Sequence, residues 1–572
     1  MRLILLALML LTQSAYAQLY RYDVLIAEIM ADPSPPALRP GGLPEVEYLE
    51  LRNNSSLTID LTGWKIADQQ GTATINVHYL LRPDSSVAVS SNAGAASLSG
   101  FGAALGVANF PSLDNDGDFL VLTSKEGIVM HAVEYTAEWF NNSVKEKGGW
   151  SLEMIDFRSP CIGVDNWAAC EFPLGGSPGR RNSVAGIRKD GLPPSLIRSY
   201  ATDDLHVMLL FDKTVDEADA TRTGNYAFEE AKSDILSASM PGPLHNTVLL
   251  TLKKPLVANG VYWLTVTGLA DCIGNRIRER LRFRTGLAGD PDSAKLFINE
   301  LLFNPASPGV DYVELLNAGE KITDLQHVLL NNRSASGVAG VAKQVSATPR
   351  LIFPGDFVVV TEDPKLVQKQ FIAKEPAAFC RLSGMPSYPD DKGTVLLLNS
   401  RGKILDELSY DERWHFALIT EAAGVSLERI SAARPTGDKN NWHSAAATSG
   451  YGTPTFANSQ STPTINADKG ISINPKQFSP DNDGRDDFAT IQYQFDEPGF
   501  VANMMIFNAN GNLVRTLARS LLCGREGYLR WDGLDDSNHK AAIGPYILVA
   551  ELFTTNGTTK KYKLPLVIAT GF

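Results

Sequence analysis

Short runs in which apolar and polar residues alternate, or in which several apolar β-formers follow one another, recur from one end of the chain to the other. "DVLIAEI" at 23, "FLVLTS" at 119, "HVMLLF" at 206, "NTVLLTL" at 246, "YWLTVTG" at 262, "DFVVVT" at 356, "TVLLLNS" at 394 and "PYILVAELF" at 545 are such runs, separated by Gly, Pro, Asn and Asp clusters. Period-two patterning bounded by turn residues predicts strands, and many short strands with few helices predict antiparallel β-sandwiches in series. Within the chain's body, "DPKLVQKQFIAK" at 363 is one of few helix candidates. At 572 residues the chain exceeds what one hydrophobic core serves, so several domains are expected.

A long internal repeat organises these runs. "IAEIMADP" at 26 returns as "INELLFNP" at 298, and "EYLELRN" at 47 returns as "DYVELLN" at 311. "DGDFLVLTSKEGIVMHAVEY" at 116 returns as "KGTVLLLNSRGKILDELSY" at 392, "WSLEMI" at 150 as "VSLERI" at 425, and "GSPGRRNS" at 176 as "GTPTFANS" at 452. Asn166-Trp167 and Asn441-Trp442 belong to the same correspondence. Two copies of one module, residues 18–185 and 291–460, follow.

On these residues each copy resembles the bacterial lamin-tail domain, an immunoglobulin-like (Ig-like) β-sandwich. Glu28, Pro33, Tyr48, Glu50 and Trp64 match that family's pattern in the first copy; Glu300, Pro305, Tyr312 and Glu314 match it in the second. The second copy departs in losing the tryptophan, "DLTGWKI" becoming "DLQHVLL", and in carrying Thr455 where the first has Gly179. Between the copies, residues 186–290 hold "DDLHVMLLFDKTVDEADATRTGNYAF" and "YWLTVTGLADCIGN" and resemble a bacterial Ig-like domain, with Asp271, Gly274 and Asn275 in its closing turn. Residues 461–572 open within the polar linker "NSQSTPTINADKG" at 458; with "FSPDNDGRDDF", Trp531, Asp532, Gly533, Gly544, Pro545 and Tyr546 they resemble the Ig-like modules of flagellar hook-cap proteins and the C-terminal modules of gliding and type IX-secreted proteins. Some such tails are sorting signals and some are not. The expected fold class is all-β, tandem Ig-like β-sandwich domains in an extended array.

The first seventeen residues, with Arg2, an apolar run Leu3 to Leu11 and small residues at Ala15 and Ala17, read as a signal peptide cleaved after Ala17. That run is too short to remain as a membrane span, and no later stretch reaches the required length, so a periplasmic, cell-surface or extracellular protein is expected. No cysteine stands at the cleavage point, which disfavours a lipid anchor. The net charge is −12 and the basic runs "RKDG" at 188 and "RIRER" at 276 are short, which argues against a nucleic-acid partner. Five cysteines are too few for a disulfide-built fold. Cys161 and Cys170 either close a small loop or stay free; Cys272, Cys380 and Cys523 stand isolated and are expected as buried thiols.

Candidate chemistry is sparse. Glu28 with Glu50, and Glu300 with Glu314, can sit on neighbouring strands, and close carboxylates can share acid–base work. Alternation along "EYLEL" puts Tyr48 and Glu50 on one face and Glu47, Leu49 and Leu51 on the other, so a structural role for these acids is favoured over catalysis. Ser479, Asp481, Asp483, Gly484 and Asp487 fall at positions 1, 3, 5, 6 and 9 of a calcium-loop spacing, but Thr490 stands where the twelfth-position glutamate belongs. The loop is thus either a calcium site or an Asp/Asn/Gly turn, the turn being favoured. In "SLDNDGD" at 112, Asp114, Asp116 and Asp118 imitate the same alternating spacing. Aligning Gly117 with Gly393 sets Lys392 opposite Asp116 and Thr394 opposite Asp118, an exchange a turn survives and a cation site does not. The eight histidines are scattered as His78, His131, His206, His245, His327, His415, His443 and His539, and no HExxH, GxSxG or P-loop occurs. Trp167 and Trp442 read as core anchors whose preceding Asn binds backbone. The function expected is that of an exported, non-enzymatic envelope or surface scaffold, spacer, adhesion or assembly component. The alternative is an accessory binder of an extracellular polymer, polysaccharide or DNA.

Overall fold

The computed structural model describes residues 18–34, 42–142, 144–229, 235–289, 295–334, 336–461, 470–495, 500–523, 526–553, 557 and 559–569. The predicted signal peptide and most of the predicted linker lie outside them. The protein is all-β, built of tandem Ig-like sandwiches. It divides into two compact units, residues 1–255 with 262–285, and residues 256–261 with 286–572.

In the first unit, a six-stranded sheet runs in the order Trp167–Ala169, Leu152–Met154, Val24–Met30, Tyr48–Asn53, Ser86–Ser91, Ala104–Val107. It faces a four-stranded sheet, Val129–Thr136, Gly117–Thr123, Lys65–Ala67, Thr72–Thr74. Alternation places Leu49 and Leu51 in the core between the sheets with Trp64, Leu120, Leu122 and Trp167. Tyr48 faces the other way, yet it too is buried, in a second small cluster with Met30, Leu43, Ala88 and Leu98. The last two strands of the large sheet are parallel, joined by the helix Asn92–Leu98, whose Ser91 cap accepts a hydrogen bond from Gly94 N.

The Ig-like part of this unit pairs a four-stranded sheet (Leu196–Ala201, His206–Phe211, Thr247–Leu252, Ile235–Ser239) with a three-stranded one (Tyr226–Phe228, Val261–Val266, Leu281–Gly286). In its closing turn Gly274 takes φ +92°, while Asp271 accepts from Ile273 N and Asn275 N. A disulfide joins Cys161 of the first sandwich to Cys272 of this turn. This corrects two expectations: Cys161 does not pair with Cys170, and Cys272 is not a thiol. Cys170 is a buried free thiol set against Ser183 Oγ and Phe172 N, whereas the turn after Asp271 brings Cys272 to Cys161. Cys380 and Cys523 are buried free thiols.

In the second unit the six-stranded order is Phe379–Arg381, Phe357–Thr361, Tyr312–Asn317, Leu296–Leu302, Leu427–Arg429, Trp442–Ser444, the first module's order read from its other end. Its outer pair is again parallel and again bridged by a helix, Pro364–Gln370, capped by Asp363 with Pro at its start. The helix predicted at 363 therefore exists but is short. The facing sheet is Lys343–Gln344, Val328–Arg333, Lys392–Asn399, Ile404–Asp411. Register corrects the alignment around Gly117. Asp118 pairs with Tyr135 and Gly393 with Tyr410, so Gly393 corresponds to Asp118, and Lys392 to Gly117. Asp116 then corresponds to Asp391 and Asp114 to Pro389, whose carbonyls, Asp114 O and Pro389 O, accept from Tyr135 and Tyr410. Two of the three acids still lack counterparts, as a turn permits.

The C-terminal module packs a three-stranded sheet (Gly470–Asn474, Ala489–Gln494, Glu526–Trp531) on a five-stranded one (Gln477–Phe478, Thr559–Ile568, Gly544–Phe553, Phe500–Asn508, Leu513–Cys523). Trp531 lies at the centre of its core, edge-on to Phe478 and Tyr546.

Candidate functional site

The repeated carboxylates meet on adjacent strands. Glu28 lies directly opposite Glu50 on one side and Glu153 on the other, and all three are fully buried. Their ligands are the chain's own donors. Tyr48 Oη and Ser151 Oγ each donate to Glu28 Oε1 at 2.6 Å, and Ser177 N donates to the same atom at 2.8 Å. Gly179 N donates to Glu50 Oε2 at 2.7 Å, and Ser183 Oγ and Val184 N donate to Glu153 Oε2 at 2.7 and 3.1 Å. Ser177 Oγ stands between two acids, 2.6 Å from Glu153 Oε1 and 3.3 Å from Glu28 Oε2. A hydroxyl has one proton to give, so this contact is complete when Glu28 itself carries a proton.

The second module repeats the device. Glu300 faces Glu314 and Glu428. Tyr312 Oη donates to Glu300 at 2.7 Å, Thr453 N at 2.9 Å, and Ser426 Oγ takes the place of Ser151. Thr453 Oγ1 bridges Glu300 and Glu428 at 3.2 and 2.7 Å as Ser177 does. Thr455 N reaches Glu314, while Ser459 Oγ and Gln460 N reach Glu428. One difference is informative. Asn299 Nδ2 donates to Glu314 Oε1 at 2.8 Å; Ala27 stands at that place in the first copy, and Glu50 Oε1 is left buried without a partner.

Neutral donors alone solvate these acids, so burial dominates their titration. Burial, with the neighbouring Glu153 charge second, pushes Glu28 up to about 7. Burial and the Glu300 charge do the same to Glu428. Glu50 and Glu314 are pushed well above the usual carboxylate range by burial and then by Glu28 and Glu300. Chemically the arrangement holds protons and fastens a segment: residues 177–184 and 453–460 lie across the three strands and tie them together. The pairs Glu28–Glu50 and Glu300–Glu314 follow the sequence expectation of neighbouring strands. Glu153 and Glu428 were missed as third members, although the repeated "SLE" carried the signal.

The strand asparagines of the repeated phrase have matched work. Asn53 donates to Leu57 O and Leu81 O, and Asn317 to Lys321 O and Ile352 O. Asn166 and Asn441 bind backbone beside the buried Trp167 and Trp442, as expected of core anchors.

In the loop with calcium-like spacing, one oxygen from each of Asp481, Asp483 and Asp487 lies within 4.8 Å of the others. The loop is also a docking turn inside the second unit. Asn482 Nδ2 donates to Ala445 O at 3.0 Å, Ala447 N donates to Asn482 O at 2.9 Å, and Gln460 Nε2 donates to Asp487 Oδ2 at 2.9 Å. Asp483 N and Gly484 N donate to the two oxygens of Asp487, so that carboxylate is already coordinated by the chain. Ser479 contributes its backbone, donating from N to Asp486 O and accepting at O from Asp481 N.

Three histidines are buried. His131, His443 and His415 are pushed down by burial to about 3, 3 and 4. His131 Nδ1 accepts from Ile26 N; in the second copy Asp406, paired with the buried Arg429, accepts from Ile298 N. Ser444 Oγ contacts His415 Nδ1 at 3.0 Å, but Ser444 is fully buried and no acid orients the far nitrogen. The nucleophile–base–orienter geometry of a triad is thus incomplete there.

The lamin tail domain family matches residues 20–137, within the first module. No curated protein matches the chain. Among solved structures, the N-terminal part of the bacterial S-layer protein SbsC matches at 19% identity over 29% of this chain and 40% of that one, with TM-score 0.16. SbsC domains 1–6 match at 12% identity over 67% of this chain and 55% of that one, TM-score 0.16. CopC from Methylosinus trichosporium OB3b matches at 16% identity over 15% of this chain and 78% of that one, TM-score 0.12. The chain thus spans 40% and 55% of the lengths of the two S-layer structures.

Proposed function

We propose that this chain is an exported, non-enzymatic component of the cell envelope or surface, acting as a scaffold, spacer or assembly element. The observation that carries the reading is the doubled glutamate lock: the most conspicuous acids of the sequence are consumed in closing each sandwich. The Cys161–Cys272 bond adds support, because such bonds persist in oxidising compartments. Among the described residues, no helix is long and apolar enough to cross a membrane. Rigid sandwiches of this kind work through their loops and edge strands, which offer unpaired backbone groups to a partner. The loop from Ser479 to Asp487 belongs to this reading as a docking turn, with calcium not required.

The test is localisation of a tagged chain in periplasm, outer membrane and medium, with and without residues 465–572. Envelope association of the full chain is expected, and a chain found only in the cytoplasm overturns the proposal. Export that survives removal of residues 465–572 assigns those residues to assembly; export that fails assigns them to sorting.

A further inference from the structure

A polar cleft of about 660 Å³ lies in the second unit, lined from one side by the second module and from the other by the C-terminal module. Its volume is that of a small-molecule site. The walls mix four cations, Arg413, Lys439, Arg515 and Arg530, with two carboxylates, Asp411 and Asp532. The net of +2 is local, in a chain of net charge −12.

The repeat supplies an internal comparison. Matching Tyr135 to Tyr410 and Trp167 to Trp442 sets Glu138 against Arg413, Phe140 against His415, Val164 against Lys439 and Asp165 against Asn440. Thr136 stands opposite Asp411, so the first module presents two acids, Glu138 and Asp165, and no cation, where the second presents the cations Arg413 and Lys439 with the one acid Asp411. Trp139 and Trp414 are common to both. The net charge of this face is −2 in the first module and +1 where the second module borders the cleft.

Not all of the cleft's polar groups are engaged by the protein. Arg413 is held by Asp411 at 2.8 Å, and Arg530 donates to Trp442 O at 2.7 Å. Arg515 is fixed by Asp535 O and Asn538 Oδ1, without a carboxylate. Lys439 is exposed and forms no ion pair among the described residues. His415 lines the cleft at 9% exposure; its Nδ1 meets Ser444, and its Nε2 is buried with no partner. Trp414 lines the same space while its inner edge packs on the core.

We propose that this cleft binds an acidic saccharide, a uronate-bearing chain segment whose carboxylate is held by Lys439 and Arg515 and whose ring lies against Trp414. Asp411 and Asp532 accept from sugar hydroxyls, and Asn440 bonds the same hydroxyls. Those two carboxylates are hydrogen-bond acceptors, which the hydroxyls of a sugar ring satisfy as donors and phosphate oxygens, acceptors only, do not. A guanidinium and an ammonium beside an aromatic face suit a planar carboxylate on a sugar ring. The inference goes beyond the scaffold reading and does not depend on it, since binding is measured on purified chain and localisation in cells.

The experiment is calorimetric titration of the purified full chain with oligogalacturonate, neutral malto-oligosaccharide, inorganic phosphate and a single-stranded oligonucleotide. Oligogalacturonate is expected to bind, with the neutral saccharide weaker by ~10-fold or more. Lys439→Glu, at an exposed position that folding does not need, should weaken oligogalacturonate by ~10-fold and leave the unfolding midpoint unchanged. Arg515→Gln serves as the second variant and should weaken binding in the same direction. Absence of oligogalacturonate binding overturns the proposal. So does affinity indifferent to both variants, equal binding of the neutral saccharide, or tighter binding of phosphate or the oligonucleotide.

Discussion

Ser177 and Thr453 each hold one hydroxyl between two buried carboxylates, and the consequences of removing it can be sized. Ser177→Ala leaves Glu153 Oε1 and Glu28 Oε2 without that donor, and should cost about 1–3 kcal/mol in denaturant unfolding. Glu50→Gln should cost less than about 1 kcal/mol, because burial disfavours the charged form of Glu50 and an amide of the same shape keeps its acceptor for Gly179 N. The acids and histidines act on stability in opposite pH directions. Glu28 and Glu428 are raised from 4.5 to about 7, so their contribution is complete below pH 4.5 and is lost as pH rises through 7. His131 and His443 are lowered from 6.5 to about 3, so the unfolded chain takes up protons first and stability falls as pH drops below 6.5. Unfolding midpoints of the parent and of Glu28→Gln with Glu428→Gln, measured from pH 4.5 to 8, should therefore diverge, the parent losing stability relative to the double variant as pH rises through 7. The paired glutamates were legible because the phrase repeats and strand alternation is strict. Their third partner was marked only by the repeated "SLE", and nothing in that repeat places Glu153 and Glu428 beside strands more than a hundred residues earlier.

The segment that closes each sandwich is an irregular element with a demanding backbone. Gly179 adopts φ +69°, and a Cβ there would meet Gly102 and Ala103 backbone; in the second module Thr455 adopts φ +77°. A β-branched residue in that region is strained by about 1–2 kcal/mol, and the strain is offset by Thr455 Oγ1 accepting from Glu375 N at 3.0 Å. Thr455→Ala keeps the strain and loses the bond, and should destabilise the second module by about 1 kcal/mol. Thr455→Gly loses both and should fall within about 0.5 kcal/mol of the parent, the two offsetting. The crossover helices show where sequence patterning runs out. Asp363-Pro364 announces a cap and a first turn, whereas Asn92–Leu98 contains Gly94 and too few apolar positions to mark a helical face. It forms because the parallel strand pair needs a crossover, a constraint set by the sheet and not by the segment.

At the scale of the molecule, one covalent bond and one turn join parts that the sequence presents as separate. Peptide mapping without reduction should recover Cys161 linked to Cys272, with Cys170 alkylated only after unfolding; a Cys161–Cys170 peptide would refute the arrangement. Replacing Cys161 and Cys272 together by Ser should cost about 2–4 kcal/mol, since the bond closes a separation of 111 residues. The pairing was hidden because spacing favours near neighbours, and only the fold brings the turn at 272 to the loop at 161. Millimolar calcium should move the melting midpoint by less than about 1 °C, because Asp487 already accepts from Asp483 N, Gly484 N and Gln460 Nε2. The doubled sandwich was visible in the repeat, but the docking of the loop at 479 on the second module was not, for nothing local distinguishes a docking turn from an ion loop. The glutamate lock also imposes an order on synthesis. Glu28 emerges from the ribosome 149 residues before Ser177, and Glu300 leads Thr453 by 153. Each sandwich must therefore wait, unsealed and still threadable, until its final dozen residues arrive to shut it.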